Sequence, residues 1–278
     1  MLIPGAVNSL GGHWRGTYDV NIVAFGSDVY LYRADGNATK FSLINNTYVS
    51  AASDVVDTLV PIRAGGKPVG WTYTTANRTI ETYDANGRLT SITNRNGLIQ
   101  PLTYGSNGLL ASVTDPAGRV LQFTYDASRR LVGLTGPDLA VVQYAYDANS
   151  NLTSIIYPDK TKTEYRYQNT SFPSLLTGRV DANGVVVSTW TYDVKGGVIG
   201  NELANGVAAV TVKYNQDSTD VTDVRGVHDI KDGVGAGAPD WTGIAPNGDV
   251  ITSNPRGRSI NNGPADQFTS RPTGLCSP

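Results

Sequence analysis

Cysteine, methionine and histidine are almost missing from this 278-residue chain: one Cys, one Met and two His. Cys276 alone builds no intrachain disulfide framework. His13 and His228 lie far apart, and a zinc site asks for roughly four clustered N or S ligands, so no metal is expected. Nucleophilic catalysis by serine or by Cys276 needs a nearby base, and two isolated histidines supply little, so no catalytic residue and no cofactor are expected either. Charge is also scarce. Twenty-two Lys and Arg against 24 Asp and Glu leave a net charge of −2, which argues against a chain-wide grip on nucleic acid or anionic lipid. No run of about 18 apolar residues occurs, so no membrane span is expected. Met1-Leu2-Ile3-Pro4-Gly5 lacks the basic stretch and apolar core of a signal peptide.

What the chain has is Gly, Pro and Tyr: 31, 14 and 15 residues. Turn formers with tyrosine as the main aromatic read as all-β. A fixed period underlies this composition. Tyr83, Tyr104, Tyr125, Tyr146 and Tyr167 follow at intervals of 21 residues. Leu89, Leu110, Leu131 and Leu152 keep the same step, as do Ile92, Val113, Leu134 and Ile155, and Leu102, Phe123, Tyr144 and Tyr165. The period loosens at Tyr192 and Tyr214, 25 and 22 residues on. Such a period means a stack of like units.

Residues ahead of each tyrosine alternate, as in Leu121-Gln122-Phe123-Thr124-Tyr125, which predicts a half-buried strand. A turn follows, as in Asp84-Ala85-Asn86-Gly87, where Asp bonds its own backbone and Gly accepts a positive φ. Leu89-Thr90-Ser91-Ile92-Thr93 makes a second strand, and Asn94-Arg95-Asn96-Gly97 or Asp115-Pro116-Ala117-Gly118 closes the unit. Leu and Ile three apart do not share a strand face, so a bulge or a twist is required. Two-stranded units are marginal alone, so they pair edge to edge into a long antiparallel sheet. The repeat-defining residues are Tyr83, Asp84, Gly87, Leu89, Tyr104, Gly108, Leu110, Gly118, Tyr125, Asp126, Leu131, Tyr146, Asp147, Leu152, Tyr167, Tyr192, Asp193 and Tyr214. Gly105, Gln168 and Asn215 stand where other units have Asp, which makes that acid a turn former rather than a catalyst. One acid per turn is also too few for calcium.

The domain expectation has four parts. Residues 1–75 are degenerate β units, with a hairpin at Asp35-Gly36. Residues 76–226 are the regular repeats, 227–239 a Gly/Ala linker, and 240–278 a variable tail with a hairpin at Asn247-Gly248. The tail's only charges are Asp240, Asp249, Asp266, Arg256, Arg258 and Arg271, sparse chemistry for an enzyme.

Tyr83-Asp84-Ala85-Asn86-Gly87-Arg88-Leu89-Thr90-Ser91-Ile92, repeated at Tyr146-Asp147-Ala148-Asn149-Ser150-Asn151-Leu152-Thr153-Ser154-Ile155, resembles the unit of the Rhs, or YD-repeat, family of bacterial proteins. Leu10-Gly11-Gly12-His13-Trp14 carries a weaker likeness. The resemblance implies a β-sheet spiralling into a shell that houses a C-terminal toxin, exported for competition between bacteria. The implied partners are that cargo or further repeat units, a secretion apparatus and an immunity protein. Residues 240–278 stand where a toxin or its remnant stands. So few units do not close a cavity around a folded toxin, so the chain reads as a truncated or C-terminal fragment with a structural role. Two rival readings remain: a surface module binding glycan or protein, and a small nuclease-like toxin in the tail.

Overall fold

The computed structural model describes residues 8–50, 52, 55–206, 209–214, 218–223, 228–232, 241–244, 250–254 and 257–261. Apart from one 3-10 turn at Ala204–Gly206, its regular elements are all strands. The chain divides into two compact units, Met1–Lys162 and Thr163–Pro278.

In the first unit the strands are β1 (Asn21–Phe25), β2 (Asp28–Tyr32), β3 (Ala38–Ile44), β4 (Thr47–Ser50), β5 (Thr58–Ala64), β6 (Lys67–Thr74), β7 (Ile80–Asp84), β8 (Leu89–Thr93), β9 (Ile99–Tyr104), β10 (Leu110–Thr114), β11 (Val120–Tyr125), β12 (Leu131–Thr135), β13 (Val141–Tyr146) and β14 (Leu152–Ile156). Each pairs antiparallel with the next, as period-2 patterning broken by a turn about every ten residues dictates. The Asp35-Gly36 turn joins β2 to β3, with Tyr32 opposite Ala38.

The required irregularity is a β-bulge. Thr82 faces Ser91, yet the next residue, Tyr83, faces Leu89, so Thr90 is the extra residue. The same shift recurs at Tyr104, Tyr125 and Tyr146. It brings Leu89 and Ile92 to one face, and their equivalents likewise. That inner face carries the core: Leu59, Trp71, Tyr73, Tyr83, Leu89, Leu102, Leu110 and Val113, covered by Ile22, Val29, Leu31 and Phe41 of the leading hairpins. The opposite face mixes hydroxyl residues with exposed aliphatic ones: the Thr103 and Ser112 hydroxyls stand 2.5 Å apart across β9 and β10, and Val60, Ile80, Ile99 and Val141 are exposed on it.

Beneath the leading hairpins lies a charged knot. Glu81, 6% exposed, takes both guanidinium nitrogens of Arg33 at 2.6 and 3.0 Å and the Tyr83 hydroxyl at 2.5 Å. Burial and the adjoining carboxylate push the Tyr83 hydroxyl well above its ordinary pKa.

In the second unit β15 (Lys162–Arg166), β16 (Gly178–Val180), β17 (Val186–Tyr192), β18 (Val198–Leu203), β19 (Val210–Tyr214), β20 (Ser218–Thr222), β21 (His228–Asp232), β22 (Trp241–Ile244), β23 (Val250–Asn254) and β24 (Gly257–Asn261) continue the pattern. Each pairs with its successor. The 25-residue interval before Tyr192 has its cause at residues 167–177, a loop longer than the equivalent turns, while the strands keep their pairing. Ile244 faces Val250 on either side of Asn247-Gly248, which lies outside the described residues, as do the 233–239 part of the expected linker, 262–278 and Cys276.

Candidate functional site

Each unit turns twice through the same five-residue loop. At Asp84 the backbone N–H donates to the Arg88 carbonyl and Gly87 N–H donates back to Asp84, each at 2.9 Å. Asp84 Oδ1 accepts the N–H groups of Asn86 and Arg88, and Oδ2 pairs with the Arg88 guanidinium. Asp126 repeats this arrangement with Arg130, Asp147 with Asn151, and Asp193 keeps the backbone contacts to Lys195 and Gly197. Where Gly105 replaces the acid, Asn107 Oδ1 takes the Leu109 N–H at 3.0 Å. The fourth loop position has positive φ throughout, which Gly87, Gly97, Gly108, Gly118, Gly184 and Gly196 accept without a Cβ penalty. Arg129, Leu139, Ser150 and Lys160 occupy it with side chains attached.

The tyrosines lock one unit to the next. Tyr104 donates its hydroxyl to the Leu89 carbonyl at 2.8 Å, Tyr146 to Leu131 at 2.6 Å and Tyr192 to Leu176 at 2.5 Å. Arg88 stacks 4.9 Å from the Tyr104 ring centre and Arg130 4.7 Å from that of Tyr146. Burial pushes the Tyr104 hydroxyl up to about 12. Asp84 and Asp126 sit below the ordinary carboxylate value: burial opposes ionisation, but the backbone N–H groups and guanidinium of Arg88 or Arg130 outweigh it.

The remaining repeat residues separate by environment. Leu89, Leu110, Leu131 and Leu152 are buried, Tyr167 is half-buried beyond β15, and Tyr214 on β19 is exposed. Among the described residues no three His, Cys, Asp or Glu side chains gather as a metal site would need.

Sequence reasoning missed residues 8–20. The Leu10–Trp14 stretch, despite its likeness to a unit, forms no strand. The segment is a strap laid along the tyrosine-side turns. Leu131 N–H donates to the Ser9 carbonyl at 2.8 Å and Gly12 N–H to Ser150 at 3.3 Å, and just beyond the strap Ile22 N–H of β1 donates to the Gly87 carbonyl at 2.9 Å. Gly11, with φ of +88°, lies where a Cβ would stand 2.3 Å from the Ser150 oxygen, so a glycine here is one of the strap's few signals in the sequence. Asp19, 5% exposed, ties the strap: its Oδ2 accepts Ser9 N–H, Ser9 Oγ–H and Gly16 N–H, each at 2.8 Å. Burial raises the Asp19 carboxyl above its usual range despite those donors.

Strap and inner face flank an open cleft of about 810 Å³. Tyr18 meets Phe123 edge to face at 5.9 Å on one wall. Leu121, Leu134, Tyr144 and Ile155 continue the apolar lining, and Asp19 and Tyr125 bring polar atoms to it.

Strand–turn–strand–turn units fastened through a periodic tyrosine define a YD-type repeat protein. The teneurin YD-shell family model matches residues 60–222, more than half of the chain, and the chain belongs to that family. No curated protein matches it. Solved structures similar to it include the Photorhabdus luminescens Tc holotoxin pore with a TccC3 variant, at 13% identity and a TM-score of 0.27, covering 87% of this chain and 18% of that one. TcdB2-TccC3 is also similar, at 14% identity and a TM-score of 0.29, covering 88% and 17%. Its form without the hypervariable C-terminal region gives 13% and 0.29, covering 84% and 19%. The chain thus spans less than a fifth of those solved chains. Among its described residues no helix is long and apolar enough to cross a membrane.

Proposed function

We propose that this YD-shell segment belongs to a bacterial Rhs-type protein in which the repeats enclose a C-terminal toxin and carry it into competing cells. The observation that supports this most is the family match over residues 60–222, the stretch in which bracketed Asp turns and periodic tyrosines recur. The role is structural and not catalytic: every repeated Asp described above is spent on its own turn, the Tyr83 hydroxyl on Glu81, and those of Tyr104, Tyr146 and Tyr192 on backbone carbonyls. On this reading residues 240–278 are the toxin or its remnant, residues 227–239 the join, and the chain a fragment completed by further units. Export through a secretion system and a neighbouring immunity protein belong to the same proposal. A competition assay tests it. A producer strain with codons 60–222 deleted in frame should no longer kill a sibling lacking the adjacent small reading frame, and undiminished killing would overturn the reading.

A further inference from the structure

Acid and arginine come paired in three of the loops: Asp84 with Arg88, Asp115 with Arg119 and Asp126 with Arg130. The loops at 75–79 and 94–98 break this pattern. Thr75 and Asn94 stand where those loops have Asp, and their neutral oxygens do the same work: Thr75 Oγ1 accepts the Thr79 N–H at 3.1 Å, and Asn94 Oδ1 those of Asn96 and Leu98 at 2.9 and 3.1 Å. Each of these loops nevertheless carries an arginine, Arg78 in the first and Arg95 in the second. Both are exposed, and among the described residues neither guanidinium has a hydrogen-bond or ion-pair partner. Arg78 holds the fourth loop place at a φ of +66°, the place that Gly97 takes in the next loop.

Pairing of β7 with β8 sets the two loops side by side. Ile80, just after the first, faces Thr93, just before the second. Residues of both loops line a cleft of about 350 Å³: Ala76, Asn77, Arg78, Arg95 and Asn96, two cations and no acid. Asn77 Oδ1 takes the Thr79 N–H at 3.2 Å, which leaves its Nδ2 as a further donor. Asp57 touches the first loop at Ala76 but does not line the cleft, and both its oxygens are engaged, Oδ1 by the Ala76 N–H at 2.7 Å and Oδ2 by the Tyr73 hydroxyl.

This lining narrows the ligand. Guanidinium groups only donate, so the occupant must accept, and two positive charges call for more than one negative. The planar fork of arginine matches two oxygens on one centre. A carboxylate satisfies one fork and one charge. A phosphate group has oxygens for both forks and carries about −1.5 to −2 charges at neutral pH. We propose that the cleft between loops 75–79 and 94–98 binds a phosphate group, free or at the end of a monoester, gripped by Arg78 and Arg95 together. This goes beyond a purely structural role and does not depend on toxin delivery.

Calorimetric titration of the full chain at low ionic strength and near neutral pH tests it, with inorganic phosphate, glucose 6-phosphate, acetate and glucose as probes. Inorganic phosphate should bind at one site in the low-millimolar range or below, at least about tenfold more tightly than acetate, and glucose should not bind. Glucose 6-phosphate separates the sources: affinity matching that of inorganic phosphate supports a site that leaves the organic part in solvent, and binding of inorganic phosphate alone supports a site for the free ion. Arg78→Gln and Arg95→Gln should each weaken phosphate binding about fivefold or more. Their unfolding midpoints should not move, because neither guanidinium bonds within the chain. Arg119→Gln removes an arginine that is paired in its own loop and should leave phosphate affinity unchanged. Phosphate bound no more tightly than acetate, affinity that survives either Arg78→Gln or Arg95→Gln, an equal loss in Arg119→Gln, or no phosphate binding up to about 10 mM would each overturn the proposal.

Discussion

A Cβ on Gly87 would stand 1.8 Å from the carbonyl oxygen of Ile22. No side chain fits that gap, and φ at Gly87 is +75°, so two independent constraints meet at one residue. Gly87→Ala should therefore cost roughly 3 kcal/mol or more, since β1 must move off the turn. Gly97 has a similar φ of +78° but open space around it, so Gly97→Ala should cost only about 1 kcal/mol. Urea unfolding of the two variants measures the difference, and equal losses would mean that the β1 contact contributes nothing.

Leu139 carries the opposite defect. Its φ is +64° and its side chain, 79% exposed, packs on little. Leu139→Gly should stabilise the protein by about 0.5–1 kcal/mol, the left-handed penalty relieved less the extra freedom of glycine in the unfolded chain. A lowered thermal midpoint would sink this account of the turn.

The tyrosine locks are separable by one atom. Tyr146→Phe removes the bond to the Leu131 carbonyl and should cost about 1 kcal/mol, whereas Tyr125→Phe removes none and should leave stability nearly unchanged. Parallel denaturant titrations decide it, and equal effects at the two positions would refute the distinction.

Acid should loosen the turns. Asp84 and Asp126 have carboxyls below the ordinary 3.8, so the native state holds their protons less tightly than the unfolded chain does. Their contribution is present above pH 3.8 and lost as pH falls through the lowered folded values. Asp19 runs the other way: its value is raised by burial, so stability falls as pH rises from 3.8 through the folded value. Urea midpoints between about pH 2 and 6 should show a shallower acid loss when Asp84 and Asp126 are both changed to Asn. Asp19→Asn should instead steepen the rise in stability above about pH 4. An acid limb unmoved by the double change would mean that other carboxylates govern it.

The unit was legible because each copy encodes its own strands and turns within 21 residues. Tyr83, Asp84, Gly87 and Leu89 act on neighbours a few positions away, and the need for an irregularity between Leu89 and Ile92 followed from strand geometry alone. The strap was not legible. Its anchors on the sheet are the main-chain groups of Leu131 and Ser150, which every residue type offers alike, so only Gly11 and the buried Asp19 mark it. Nor does the period reveal that Tyr125, identical in sequence to its neighbours, differs from them in bonding.

The bulged register has a consequence for how such a gene changes. Adding or removing one whole unit returns the chain to the same edge with every later tyrosine on its former side. A change one residue longer or shorter within a strand turns the residues after it to the other face unless a bulge like that at Thr90 absorbs it. Recombination between units is therefore silent to the fold wherever the crossover falls within them, and irregular insertions survive in loops, as residues 167–177 already illustrate.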